Sequence, residues 1–469
     1  MANRSDENPG NSEPVATLHD NTMSAKDDRR ARGQALRTAV PFKLHAGWSV
    51  PPERADPIEL LKRADTGRVP ELIPIRYGRM LHSAFTFCRG SALVMAADLI
   101  HTPSTGVKVQ TCGDCHALNF GAFATPERNV VFDINDFDET LPGPWEWDLK
   151  RLAVSLVLIA RDNAFKAKVA AEAAAAVTQA YVCKMEELSR KPILDIWYDR
   201  IDWEHVIAEA PDEALKKSLK DDLKKAQKRT AQARYFPKMT HREDGRLVIT
   251  DNPPLIYHVK NDPDFAERMK KGFMLYRESL QEDKQRLLDR YQICDVAMKV
   301  VGIGSVGTTC AVALMTAPDD EPLFLQIKEA RASVLEPYVG ASGFANHGQR
   351  VVAGQRIMQS ASDILLGWMK LDNGKHFYVR QLRDTKVKLV PEEWGADHLI
   401  GMSEVMGKVL ARAHARSGDS AVIAGYLGDS GEFERAIADF ALSYADQMEK
   451  DHSALVAAVN SGRIKAEIA

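Results

Sequence analysis

A two-lobed α+β fold, with a large helical lobe and a small β-rich lobe, is predicted by three observations. Helical periodicity dominates the chain before about residue 290 and again after about residue 394. A glycine-bearing block of β-prone runs lies between these stretches, and an acidic β-prone hairpin interrupts the first of them. With 469 residues, 45% of them hydrophobic, the chain is long and apolar enough to fill more than one core.

In order along the chain, residues 1–45 are rich in Asn, Asp, Ser and Arg with little periodic hydrophobicity, and are expected to form a disordered arm. Residues 46–290 should form the helical lobe. IELLKRADTGRVPELIPIRYGRM and SALVMAADLI are helical in pattern, VKVQTCGD reads as a short strand, and NFGAFA and NVVFDIND form a hairpin around TPER. WEWDLKRLAVSLVLIARDNAF repeats apolar residues at helical spacing, and a helical insertion, first Ala-rich and then charged, follows from Lys166. Residues 291–390 should form the small lobe: VAMKVVGIGSVGTTCAVALM, APDDEP and LFLQIKEA read as strand, glycine loop, strand, turn, strand. A helix around Gly348–Ser362 and strands at DILLGWM and HFYVRQLRD come next, and residues 391–469 supply helices that complete the larger lobe.

Composition excludes several classes. Lys and Arg total 62 against 65 Asp and Glu, a formal charge of −3, so no overall field favours nucleic acid or an anionic membrane. No run is apolar enough to span a bilayer, and the polar opening MANRSDENPG lacks a signal-peptide core. Six cysteines in so long a chain do not make a disulfide framework, so a cytoplasmic protein is expected.

Two constellations carry chemistry. In TCGDCHALNFG, Cys112 and Cys115 form a C-x-x-C beside His116, but the second pair of a structural zinc site is missing, which favours buried thiols. Asp114 stands five positions before Asn119, the spacing of a phosphotransferase catalytic loop. There an Asp takes or orients the proton of the attacking hydroxyl, an Asn ligates magnesium, and an Asp beyond the returning strand holds metal between the phosphates. Hairpin length favours Asp133 for the last role; the string Asp136-Phe137-Asp138 looks more like the metal-binding tripeptide of kinases, and the choice stays open.

The second constellation is Gly302-Ile303-Gly304-Ser305-Val306-Gly307 after an apolar strand. G-x-G-x-x-G serves dinucleotide folds, where a helix follows the last glycine, and kinase lobes, where a strand follows. TTCAVALM is strand-like, and Lys328 in the apolar run LFLQIKEA fits a lysine meeting the α- and β-phosphates. No glutamate stands on the following helix to partner it; Gln355 is there instead, with Glu336 and Glu329 as substitutes. Arg89, with Arg76 and Arg79, is a candidate for phosphate or acceptor.

The catalytic-loop candidate precedes the lysine block, the reverse of kinase order. LARAHARSGD with His414 and the Trp147-Asp148-Leu149 helix resemble elements that flank the catalytic loop of aminoglycoside-phosphotransferase-like kinases, which implies a circularly permuted protein-kinase-like fold. FTFCRG, CGDCHALNFG, FDINDFDETLPGPWEWDLKRLA, GIGSVGT, LQIKEA, GQRVVAGQR and LARAHARSGD together resemble the bacterial family called domain of unknown function 2252, from about Pro51 to Ile464. The resemblance implies Asp114 as catalytic base, Asn119 with Asp133 or Asp136 as magnesium ligands, Lys328 on phosphate, and Gly302, Gly304, Ser305 and Gly307 as a lid over ATP. His116 and Asp138 are of second rank. The expectation is an ATP- and Mg2+-dependent phosphotransferase acting on an unidentified acceptor. The alternatives are AMP transfer on the same fold, a nucleotide-binding pseudokinase regulator, and a NAD(P)-dependent oxidoreductase, which requires a helix directly after Gly307.

Overall fold

The apolar stripe of WEWDLKRLAVSLVLIARD is wide enough that the segment buries nearly all of its circumference, and it becomes the central helix of the larger lobe. A computed structural model describes residues 24–467, apart from 211–212, 228–235, 261, 263, 383–385 and 388. The larger lobe begins with α1 (Lys26–Ala39), α2 (Pro57–Ala64), α3 (Ile73–Met80), α4 (Ala84–Gly90) and α5 (Ala92–Leu99). Strand β1 (Lys108–Thr111) leads to the hairpin of β2 (Phe120–Ala124) and β3 (Val130–Ile134), and β4 (Leu141–Pro144) returns to pair with β1. Then come the central helix α6 (Trp145–Asp162), α7 (Ala167–Arg190), α8 (Ile193–Tyr198), α9 (Trp203–Glu209) and α10 (Glu213–Gln227).

The smaller lobe takes α11 (Phe236–Met239), β5 (Thr240–Glu243), β6 (Arg246–Ile249), β7 (Ile256–Tyr257), α12 (Phe265–Glu278) and α13 (Glu282–Leu288). It continues with β8 (Gln292–Lys299), β9 (Cys310–Ala317), β10 (Glu321–Ala330), α14 (Glu336–Val339), α15 (His347–Met358), β11 (Gly367–Lys370) and β12 (His376–Gln381). The chain then re-enters the larger lobe as α16 (Ala396–Ala415), α17 (Ser420–Leu427) and α18 (Glu432–Asn460). The chain is thus a mixed α+β protein.

In the larger lobe α6, α7, α16 and α18 pack into one core with α4 and the hairpin. Gly407 lets α16 lie against α7, since a Cβ there would overlap the Val177 carbonyl oxygen. The smaller lobe is a six-stranded sheet in the order β11-β12-β10-β9-β8-β7, antiparallel throughout. Phe273, Tyr276 and Leu288 cover one face against Val296, Leu325 and Val379. Helix α15 bridges the lobes, placing Val351, Val352 and Met358 in the larger core.

Two expected boundaries change. The smaller lobe does not start at residue 291, because α12, α13 and β7 carry the apolar side chains that cover the sheet. Nor is the whole of 1–45 a disordered arm. Residues 1–23 lie outside the described ones, but α1 packs on α17, where added Cβ atoms at Gly33 and Gly425 would overlap opposing carbonyl oxygens. Arg37 donates to the carbonyls of Tyr426 and Gly425 at 2.5 and 2.7 Å. Contacts nearly four hundred residues away stabilise this polar helix, and its own pattern does not reveal them. Among the described residues, no helix is long and apolar enough to cross a membrane.

Candidate functional site

One face of α6 holds the loop between β1 and the hairpin. Asp148 accepts from the backbone N–H groups of Cys112 and Gly113 at 2.7 and 3.0 Å, and Ser155 Oγ accepts from that of Ala117 at 3.0 Å. Between them on the same face, Arg151 grips the Asp114 carboxylate, with its Nε at 2.7 Å. Gly113 adopts φ +78° with its Cα against the Glu139 carbonyl, a position with no space for a side chain. Burial pushes the Asp114 carboxyl up, while Arg151 opposes that shift. Asn119 Nδ2 donates to the Asp114 carbonyl oxygen at 2.7 Å, which leaves its amide oxygen for the cavities that Asn119 lines. His116 is buried with its Nε2 3.9 Å from Asp114, and burial, with the nearby Arg89 and Arg151, keeps it neutral.

The aspartates on the returning side of the hairpin separate sharply. Asp133 lies within β3, fully buried: it pairs with Arg412 of α16 and accepts from the Ser360 N–H and Oγ at 2.8 and 2.7 Å and from the Ile134 N–H at 2.8 Å. Both of its oxygens are taken and it lines neither cavity described below, so it anchors the hairpin rather than presenting a free metal ligand. Asp136 and Asp138 lie past the end of β3 on either side of the buried Phe137, and both line the interlobe cleft. Asp136 Oδ1 is buried without a hydrogen-bond partner and lies 3.7 Å from Lys328 Nζ. Asp138 accepts from Lys328 Nζ at 2.7 Å, Ser305 Oγ at 3.0 Å and Tyr378 OH at 2.7 Å. Burial alone would raise the Asp138 carboxyl; Lys328 and Tyr378 outweigh it and hold the group low, at about 2.

Lys328 projects from β10, whose partners β9 and β12 place Cys310 and Tyr378 beside it. Its ammonium lies 5.3 Å from the Tyr378 ring centroid, and Asp136 and Asp138 keep it charged despite burial. The acidic partners of Lys328, Asp136 and Asp138, come from the other lobe and not from α15, on which no glutamate stands. Gln355 donates to Gln359 at 2.9 Å, and both line the cleft. Glu336 does not: it accepts from the Ser333 N–H at 3.3 Å and lies 3.9 Å from His347.

The glycine loop joins β8 to β9. Gly302 and Gly307 take positive φ, where glycine is favoured. Arg79 donates to the Gly302 carbonyl at 2.6 Å and Arg68 to those of Gly304 and Val306 at 2.8 and 2.5 Å. A strand follows Gly307, within an antiparallel sheet, so the helix that the dinucleotide design requires is not there.

Two cavities flank the loop. One, about 410 Å³, includes Lys328, Gln326, Arg380 and Leu382 in its walls; the other, about 510 Å³, includes Asp114, His116, Asp138 and Glu139. They share Arg89, Asn119, Asp136, Gly302 and Ser305. Lys328 and the acidic hairpin, 190 residues apart for the Lys328–Asp138 pair, therefore meet at one cleft. The family model described as "uncharacterized protein conserved in bacteria (DUF2252)" matches residues 68–458. The chain belongs to this family. Neither curated proteins nor solved structures give a match.

Several members of the site gave no recognised signal in sequence. Arg151, Arg412, Arg380 and Tyr378 act only through partners brought by folding, although Arg151 three positions after Asp148 in a buried helix was a readable pattern. The ligand atoms of Cys112, Cys115 and Asp148 lie within 4.8 Å of one another, but Asp148 is engaged by two backbone N–H groups and lies 3.3 Å from His414, and burial raises both thiols. This arrangement clamps the Asp114 loop.

Proposed function

We propose that the protein is an ATP- and magnesium-dependent phosphotransferase with a protein-kinase-like fold whose halves are joined in permuted order. The observation that carries this reading is the meeting of Lys328 with Asp136 and Asp138 at a cleft that also contains Asp114 and Asn119. Asp136 Oδ1, buried and unpartnered, and the free amide oxygen of Asn119 are hard oxygen donors of the kind Mg2+ takes. Magnesium bound there supplies charge neutralisation for the nucleotide phosphates. Lys328 meets the phosphates from the smaller lobe, and the loop from Gly302 to Gly307 covers them with backbone N–H groups. Asp114, oriented by Arg151, accepts the proton of the acceptor hydroxyl. Catalysis is then mainly positioning and electrostatic stabilisation.

Asp138 supplies an anion for Lys328, so the absence of a glutamate on α15 does not favour a pseudoenzyme. Calorimetric titration with ATP, with and without magnesium, tests the proposal, with NAD as control. Binding should require magnesium and fall at least tenfold in Lys328→Met and Asp136→Asn. Asp114→Asn should keep binding while lowering slow ATP turnover by about 10²–10⁴-fold. Binding of NAD but not ATP would remove the reading.

A further inference from the structure

The larger cavity, on the Asp114 side of the glycine loop, is rich in arginine. Arg63, Arg68, Arg76, Arg89 and Arg331 all line it, against an apolar wall that includes Leu61, Leu93 and Pro337. Two of the arginines are committed to the fold: Arg76 pairs with Asp65 at 3.0 Å, and Arg68 holds the loop carbonyls. The other three have no ion pair among the described residues. Arg331 donates to the Thr66 carbonyl, Arg63 lies beside Tyr338, and Arg89 has its Nε buried without a partner.

Five carboxylates also line the cavity, but most of them are engaged by other cations. Asp114 is neutralised by Arg151, Asp138 by Lys328 and Glu329 by Lys375, all from outside this cavity. Glu139, with burial opposing its charge, is half neutral near pH 7. That leaves Asp136, the proposed metal ligand. A guanidinium with a buried nitrogen and no anion, as in Arg89, is costly, and its planar fork, like those of the exposed Arg63 and half-buried Arg331, matches the oxygens of phosphate or carboxylate. Lys328 lines only the other cavity and Asp114 only this one, so Arg63 and Arg331, which line only this cavity, lie on the acceptor side, and Arg89, which lines both, stands where the two meet.

We infer that the acceptor is a small hydroxy compound carrying a phosphate or carboxylate group, seated with its oxyanion on Arg63, Arg89 and Arg331 and its hydroxyl toward Asp114. This rests on the phosphotransferase reading, and a volume of about 510 Å³ suits a metabolite-sized molecule. In the step, the hydroxyl proton goes to Asp114 and its oxygen bonds to the γ-phosphorus of ATP. The bond from that phosphorus to the β–γ bridging oxygen breaks, and ADP leaves.

Inorganic phosphate, titrated calorimetrically into the full chain held with excess ADP and magnesium, probes the oxyanion seat directly. One site is expected, weakened at least tenfold by Arg63→Gln and by Arg89→Gln and unchanged by Arg190→Gln on the exposed surface of α7. Two arginine variants guard against one failing to fold, which thermal melting reports. Turnover with glycerol, glycerate and glycerol 3-phosphate then separates neutral, carboxylate and phosphate acceptors; either anionic compound should exceed glycerol at least tenfold. No phosphate uptake below 10 mM, affinity in both arginine variants equal to the parent's, or turnover of glycerol equal to its anionic relatives overturns the inference. If ATP and NAD titrations remove the phosphotransferase reading, phosphate titrated without nucleotide still reports the seat, so the two failures are distinguishable.

Discussion

Replacing Asp133 by asparagine should destabilise the protein far more than the same change at Asp136, although the sequence offers both as metal ligands. The Asp133 and Arg412 side chains are 0% and 1% exposed, so removing the negative charge leaves a guanidinium in the interior. Breaking one side of such a pair costs about 3–5 kcal/mol. Asparagine also presents an N–H₂ where the carboxylate now accepts from Ser360 or Arg412, which leaves a buried donor mismatched. These costs are not additive, and a total of about 3–5 kcal/mol is expected. Asp136 is 32% exposed and its Oδ1 has no hydrogen-bond partner, so Asp136→Asn should change stability by no more than about 1 kcal/mol. Urea unfolding followed by tryptophan fluorescence measures both. The double variant Asp133→Leu/Arg412→Met should recover most of the loss, since an apolar pair removes both buried charges together. In parallel, Asp136→Asn should lose magnesium-dependent ATP binding. A stable Asp133→Asn protein that has lost magnesium dependence, beside an Asp136→Asn protein that keeps it, would refute the assignment.

Three further outcomes follow from packing and charge. Gly33→Ala should cost about 1–3 kcal/mol and expose residues 26–39 to trypsin, because the new Cβ meets the Val422 carbonyl where α1 crosses α17. Glu139 has its carboxyl raised by burial from 4.5 to about 7, so the stability it contributes is complete below about pH 4.5 and lost as pH rises through about 7. Glu139→Gln, neutral at every pH, should therefore gain on the parent between pH 5 and 8, by on the order of 1–3 kcal/mol in urea midpoints converted to free energy; a pH-independent difference would contradict this. Thiol titration at pH 8 should label Cys183 and Cys294 quickly and Cys88, Cys112, Cys115 and Cys310 only on unfolding, because the last four are buried. Fast labelling of Cys112 or Cys115 would show that the Asp114 loop opens.

Short-range patterning made much of this molecule legible in advance. The alternation in NVVFDIND, the long helix after Pro144, the strand–loop–strand around Gly302–Gly307 and Lys328 in its apolar strand all depend on neighbours a few residues away, and they stand as β3, α6, β8 with β9, and β10. The sequence by itself thus determined these elements and the residue types they carry, but not α1, whose helix rests on distant contacts. Tertiary structure decided which aspartate is buried and which faces the cleft, because that depends on Arg412 and Ser360 arriving against β3 from a distant part of the chain. It also made Asp138 the partner of Lys328, placed α12 and α13 on the sheet, and set Arg151 against Asp114. A carboxylate's role is fixed by the charges and solvent around it, and those are known only once distant elements have packed.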